Sequence, residues 1–180
     1  MKKEELRKAL LKKLLNLTKK EVKEKSRKIQ KNLEKLPLYK KAKRVMVYYP
    51  LKGEVDLLDM VRKAKKDFCF PKIEGENLVP YLVKDLEKDF KKGKFGVKEP
   101  IGERCEKIKE ENLDLVIVPG LAFDYQKNRL GRGAGFYDRF LKKVEKTKIG
   151  VAFDFQVLES LPYLSHDEKV DILVTETNIF

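Results

Sequence analysis

Leu115-Val116-Ile117-Val118, stopped by Pro119-Gly120, is the stretch that decides the fold. Four apolar residues in a row, rich in β-branching, do not alternate as a half-wetted strand would; they describe a strand covered on both faces, as inside a parallel sheet. Working outward, β-rich runs recur at 44–49, 68–70, 78–83, 149–153 and 172–175, with Pro50, Pro71 and a turn at 74–77 as punctuation. Helical periods lie between them. Leu6, Leu10, Leu14 and Leu17 share one face, and Val22, Ser26, Ile29, Leu33 and Leu36 share another, so residues 3–36 read as two helices. Thr18 and Glu21 form a capping box for the second, and Pro37 closes it. A third helix is expected over 54–66, on Val55, Leu58 and Val61, with acids first and lysines last to suit the dipole. A fourth is expected over 136–146, on Phe136, Phe140 and Val144. The segments 84–105 and 121–135 read as loops, and 156–161 as a short helical turn before another loop at 162–167. The alternation predicts one α/β domain over residues 1–180: three layers, a mostly parallel central sheet with helices on both faces, preceded by two N-terminal helices.

Composition removes several functions. The 180 residues are 42% hydrophobic and 39% charged, enough to bury a core without staples. Cys69 and Cys105 are far apart and His166 is the only histidine, which leaves no disulfide framework, thiolate zinc site or multi-histidine centre. The chain is charged from Lys2 onward with no signal core, and lacks the ~18-residue apolar run of a membrane span, so a cytoplasmic protein with no membrane partner is expected. The net charge of +13 is lopsided: residues 1–44 hold 18 Lys and Arg against 5 Asp and Glu, and the remainder holds 24 of each. A basic face of this kind attracts polyanions. Its lysines run all around both helices without an aromatic stacking platform or a groove-reading motif, which argues against a nucleic-acid partner.

In open α/β sheets ligands bind beyond the carboxyl ends of the strands. After Val118 the chain reads Pro119-Gly-Leu-Ala-Phe-Asp-Tyr-Gln-Lys-Asn-Arg129-Leu-Gly-Arg-Gly-Ala-Gly-Phe-Tyr-Asp138. Gly131, Gly133 and Gly135 allow a sharp turn and close approach of backbone to ligand. The loop then opens a helix, whose free N–H groups favour an anion, and Arg129 and Arg132 add planar cations suited to phosphate. These parts describe a phosphate cradle, though not a Walker A loop, because no Gly-Lys-Ser/Thr follows. Asp138 complements the helix dipole or, beside phosphates, holds Mg²⁺ with Asp167 as its second carboxylate. An unrelated sugar-phosphate or nucleotide enzyme sharing such a loop is the competing reading.

The run from Val118 to Arg139 resembles the signature of the 5-formyltetrahydrofolate cyclo-ligase (5,10-methenyltetrahydrofolate synthetase) family. Other landmarks follow in order: Lys3-Glu4-Glu5-Leu6-Arg7, Tyr49-Pro-Leu-Lys-Gly-Glu54-Val-Asp56, Gly96-Val-Lys-Glu-Pro100, and Gln156…Leu161-Pro162…Asp167…Val170-Asp171. The resemblance implies a Rossmann-like fold and ATP- and Mg²⁺-dependent cyclisation of 5-formyltetrahydrofolate to 5,10-methenyltetrahydrofolate, with no obligate protein partner. It places ATP on Lys3, Glu4, Glu5, Leu6, Arg7, Arg129, Leu130, Gly131, Arg132, Gly133, Ala134, Gly135, Phe136 and Tyr137. It places the folate on Arg7, Tyr49, Glu54, Arg132, Gly133, Ala134, Gly135 and Phe136, the metal on Asp138 and Asp167, and catalysis on Arg129 and Arg132. Phe136 stands where Tyr is common in that family, and Ala134 replaces Gly or Lys. Glu54 is the carboxylate expected to accept from the pterin's N–H edge. The basic helices gain a second use in attracting polyglutamylated folate.

Overall fold

The computed structural model describes residues 1–180. Helices α1 (Lys3–Leu15) and α2 (Lys19–Lys35) follow the two leucine periods, with Thr18 accepting the Glu21 N–H between them. Pro37 does more than end α2: it is the first residue of a short α3 (Pro37–Lys41), where its missing N–H costs nothing. Strand β1 (Arg44–Met46) leads to α4 (Leu58–Lys63), then β2 (Asp67–Glu74), β3 (Asn77–Val83), β4 (Phe90–Lys92), β5 (Lys98–Pro100) and β6 (Glu106–Lys107). Beyond them come β7 (Leu115–Val118), β8 (Ala122–Asp124), β9 (Arg129–Leu130), α5 (Phe136–Leu141), β10 (Thr147–Val151), β11 (Val157–Leu158) and β12 (Ile172–Val174).

Seven strands form the main sheet in the order β12-β10-β7-β1-β2-β3-β6. All neighbours from β12 to β2 are parallel, and β3 and β6 add antiparallel ones at the far edge. As the sequence predicts, β7 is central and every one of its residues is buried. Its side chains alternate between two cores. Leu115 and Ile117 join Val45, Phe68, Phe70, Ile149 and Val151 beneath α1, α2 and α4; Val116 and Val118 join Met46, Cys69 and Leu173 beneath α5. The sheet is therefore the middle of three layers.

Four expectations need correction. The helix expected over 54–66 is confined to α4, because the backbone before it is tied elsewhere. Tyr48 Oη donates to the Val55 carbonyl at 2.6 Å, and the Asp56 N–H donates to Ser26 Oγ at 2.9 Å. Only then does Asp56 Oδ1 accept the Leu58 N–H and start the turn. Likewise α5 stops at Leu141, although Val144 stays buried. The loop at 121–135 contains β8 and β9, which join β11 in a small three-stranded sheet; the helical turn expected over 156–161 is a single 3₁₀ turn at Asp154–Gln156, with β11 directly after it. Residues 84–105 contain the β4–β5 hairpin, secured by Asp89, whose carboxylate accepts from the Lys84 and Asp85 N–H groups and from Arg104 Nε. Short two- and three-residue strands carry too little alternation to show in the sequence. No helix is long and apolar enough to cross a membrane.

Candidate active site

A cleft of about 820 Å³ opens beyond the carboxyl ends of the parallel strands, where β1 and β7 hand over to loops. Its floor is the stretch from Arg129 to Asp138. The loop is held from behind by Asp124, which is 1% exposed and has no cationic partner. Oδ1 of Asp124 accepts the Gln126 and Asn128 N–H groups at 3.0 and 2.9 Å; Oδ2 accepts Asn128 Nδ2 and the Leu161 N–H, both at 2.9 Å. Four donors on one carboxylate replace a counter-ion.

From this anchored base Arg129 turns inward. Nε donates to the Pro119 carbonyl at 2.6 Å, and the guanidinium lies over the Tyr137 ring at 4.9 Å. Burial pulls the Arg129 pKa down, while Asp138, Tyr137, Glu54 and Asp167 pull it back up. Burial likewise raises the Tyr137 phenol, which stays neutral beside the cation. Gly133 has φ +110°, a conformation other residues avoid, and a Cβ there would meet the Arg7 guanidinium at 3.5 Å. Arg7 reaches across from α1 and donates through Nε to the Gly131 carbonyl at 2.9 Å. Arg132 is more open: Nη2 lies 3.6 Å from Glu54 Oε2, its only ion pair. Lys3, Arg7, Arg129 and Arg132, four of the seven Lys and Arg side chains that line the cavity, thus meet a glycine-rich backbone there. Because α5 has only six residues, its dipole is small, and the attraction for an anion falls on these cations and the loop amides.

Asp138 and Asp167 line the same cleft. Asp138 Oδ1 accepts the Glu168 N–H at 3.1 Å. Asp167 Oδ2 accepts from Lys3 Nζ at 2.6 Å and from the Leu164 N–H at 2.8 Å. Burial alone would raise the Asp167 carboxyl, but Lys3 and that N–H outweigh it and hold it below its ordinary value.

The profile of the 5-formyltetrahydrofolate cyclo-ligase family matches residues 1–176. The chain belongs to that family. The NMR structure of Aquifex aeolicus 5,10-methenyltetrahydrofolate synthetase is similar at 44% identity with a TM-score of 0.89, covering 99% of this chain and 92% of that one. A Mycoplasma pneumoniae 5,10-methenyltetrahydrofolate synthetase shares the fold at 23% identity and a TM-score of 0.77, over 98% and 99% of the two chains. Among curated relatives, the mouse 5-formyltetrahydrofolate cyclo-ligase is 40% identical over 79 residues, which is 41% of this chain and 39% of that protein. The probable 5-formyltetrahydrofolate cyclo-ligase of Schizosaccharomyces pombe is 36% identical over 101 residues, 48% and 49% of the two. The matched stretch spans about half or less of these two curated relatives.

Within this cleft the structure brings together Lys3, Arg7, Tyr49, Glu54, the whole run from Arg129 to Tyr137, Asp138 and Asp167. Glu4, Glu5 and Leu6 do not line it. Glu4 pairs with Arg7, Glu5 accepts the Lys2 N–H at 3.4 Å, and Leu6 packs on Leu10, Ala122, Leu130 and Leu161. Glu54 proves to be a committed group: Oε1 accepts the Leu51 N–H at 2.6 Å and Oε2 faces Arg132. Of the basic residues in 1–44, only Lys3 and Arg7 line the cleft; Lys40, Lys41 and Lys43 line a separate shallow hollow with Lys65 and Lys66. The cleft is also lined by Phe95, Lys98 and Glu99 from the β4–β5 hairpin, by Arg139 of α5 and by Lys142 just after it, none of which the sequence singles out as site residues. Lys98 and Glu99 lie inside the Gly96–Pro100 motif, whose place at the cleft depends on packing of the hairpin against β2.

Proposed function

We propose that this protein catalyses the ATP- and Mg²⁺-dependent cyclisation of 5-formyltetrahydrofolate to 5,10-methenyltetrahydrofolate, releasing ADP and phosphate. The observation that carries it is the convergence of Lys3, Arg7, Arg129 and Arg132 on a glycine loop in a cleft with apolar walls, in a chain of this family. The formyl group on N5 is a poor electrophile whose oxygen leaves badly. Attack of that oxygen on the γ-phosphorus breaks the bond to ADP and gives a phosphorylated, iminium-like formyl group. N10 then attacks the carbon, loses its proton, and phosphate departs with the former formyl oxygen. The second step is intramolecular, so it gains from a high effective concentration.

Such chemistry needs positioning and charge neutralisation more than acid–base groups. Arg129, locked by Pro119 and Tyr137, offers a fixed guanidinium at the phosphate chain. Arg132, paired with Glu54, is the more exposed cation and faces the transferring group. Arg7 ties α1 to the loop, and Lys3 sits beside Asp167 at the same end.

Asp138 and Asp167 fit Mg²⁺: both offer hard carboxylate oxygens in one cavity, and no three His, Cys, Asp or Glu side chains cluster to complete a protein shell. The ion would keep water and phosphate oxygens as its remaining ligands and would supply further neutralisation of phosphate charge. Mixing protein, ATP, Mg²⁺ and 5-formyltetrahydrofolate should produce the methenyl-folate absorbance band; no band, or a band that forms equally without nucleotide, defeats the reading. Polyglutamylated substrate should bind more tightly at low salt through Lys98, Arg139 and Lys142, and a preference indifferent to salt would remove that part.

A further inference from the structure

The lysine hollow lies at the amino ends of the parallel strands, away from the cleft, and has no part in the reaction as drawn. Strands β1 and β2 run parallel with Arg44 beside Asp67, so the segments that lead into them are neighbours. Lys40, Lys41 and Lys43 thereby meet Lys65 and Lys66 around a hollow of about 550 Å³. Asp67 is the one carboxylate in the lining, and it faces Arg44 at 3.4 Å. Asp114 reaches the same segment but spends Oδ2 on the Lys43 and Arg44 N–H groups, both at 2.9 Å. Lysines often gather at helix C-termini to serve the last carbonyls. Here Lys66 does so by itself: Nζ donates to the Tyr39 and Ala42 carbonyls at the end of α3, both at 2.6 Å. Lys40, Lys41, Lys43 and Lys65 are exposed, and none has a carboxylate within ion-pair distance. The two buried side-chain polar atoms of the chain that lack a partner, Tyr39 Oη and Arg44 Nε, belong to the residues on either side of this 40–43 segment. This edge of the fold therefore holds unspent donors and uncompensated positive charge, a self-repulsion that a bound anion relieves.

We propose that the hollow is a second anion site, separate from the cleft, and that it takes a phosphate chain of the tripolyphosphate kind. Its volume falls within the roughly 300–1,000 Å³ of small-ligand sites. Lysine ammoniums are compact charges with rotatable donors, which suits phosphate oxygens that point in several directions. No aromatic side chain lines the hollow, and Ala42 is its one apolar residue, so a nucleobase finds no face to stack on. The Tyr39 ring is covered by Lys66, whose Nζ stands 4.6 Å from its centroid.

The test follows amide chemical shifts of the full chain as tripolyphosphate is added at constant ionic strength. The cleft should take the same probe, and a residue-resolved signal separates the two sites. Shifts should appear in 40–43 and 65–67 as well as in the glycine loop. Lys43→Gln combined with Lys65→Gln, both exposed and unpaired, should weaken the first set ~5–30-fold and leave the loop set within about twofold. Lys8→Gln combined with Lys12→Gln removes the same charge from exposed positions of α1 and should leave both sets within about twofold. Shifts confined to the glycine loop overturn the proposal. Equal weakening by the two double variants also overturns it, since attraction would then follow net charge alone. Sulfate that reproduces the response of 40–43 and 65–67 at equal ionic strength does the same. A single-stranded oligonucleotide that displaces tripolyphosphate from these residues overturns it in favour of a nucleic-acid surface. Shifts in the hollow without shifts in the loop support this site and count against the ATP reading of the cleft.

Discussion

Asp124→Ala removes the acceptor that holds the Arg129 loop from behind. Four donors lose their partner, and those of Asn128 and Leu161 are buried. A stranded buried donor costs roughly 1–3 kcal/mol, and water entering the vacated space recovers part, so the net loss should be about 3–5 kcal/mol. At roughly 2 cal/mol/K of unfolding entropy per residue, 180 residues give about 0.4 kcal/mol per degree, hence a fall in Tm of about 8–13 °C. Asp124→Asn separates the causes. Its amide oxygen can keep the Gln126 and Asn128 N–H groups, and the Asn128 side chain can flip to accept from the new NH₂, which leaves only Leu161 stranded. That variant should lose about 1–3 kcal/mol. Urea titration of the three proteins, followed by circular dichroism, reads the differences directly. An alanine variant within about 1 kcal/mol of the parent would refute the claim that this carboxylate anchors the loop, since ordinary surface changes are that small.

Other substitutions probe the cleft. Arg132→Ala should cut turnover ~10²–10³-fold with little change in Tm, because its side chain is 38% exposed and pairs only with Glu54; steady-state kinetics and a melt test both halves. Gly133→Val puts a β-branched residue at φ +110° next to Arg7 and should abolish nucleotide binding measured by calorimetry. Asp138→Asn should raise the Mg²⁺ concentration needed for half-maximal rate, and an unchanged requirement points to Asp138 serving only the Glu168 N–H. For pH, burial would raise the Asp89 carboxyl, but the Asp85 N–H, Arg104 and the Lys84 N–H hold it below its ordinary value. A depressed folded pKa stabilises above the unfolded value of about 3.9 and is lost as pH falls through the folded one. The stability gap between the parent and Asp89→Asn should therefore be flat from neutral pH down to about 5 and close below about 4.

The parts of the fold visible in the sequence were those with sustained apolar periods. The β7 run and the leucine faces of α1 and α2 name their own burial, and Leu10, Leu14, Ile29 and Leu33 are all in the core. The start of α4 was not visible, because it is set by Tyr48 and Ser26 reaching residues 55 and 56 from elsewhere in the chain. Pro37 was read as a stop when its position at the head of α3 also makes it a start. At the site, the glycine loop and its arginines were legible from local composition. Glu99 was not, because only the β2–β5 packing, with its Ile73 bond, brings it to the cleft.

Lys3 and Asp167 meet at 2.6 Å although 164 positions separate them in the chain. On a ribosome the first of this pair is made long before the second. The end of the cleft that holds this pair therefore has no completed form during most of translation, even when α1 and the first strands are already out of the exit tunnel. The contact that closes this end of the cleft would arrive only once the segment carrying Asp167 has emerged.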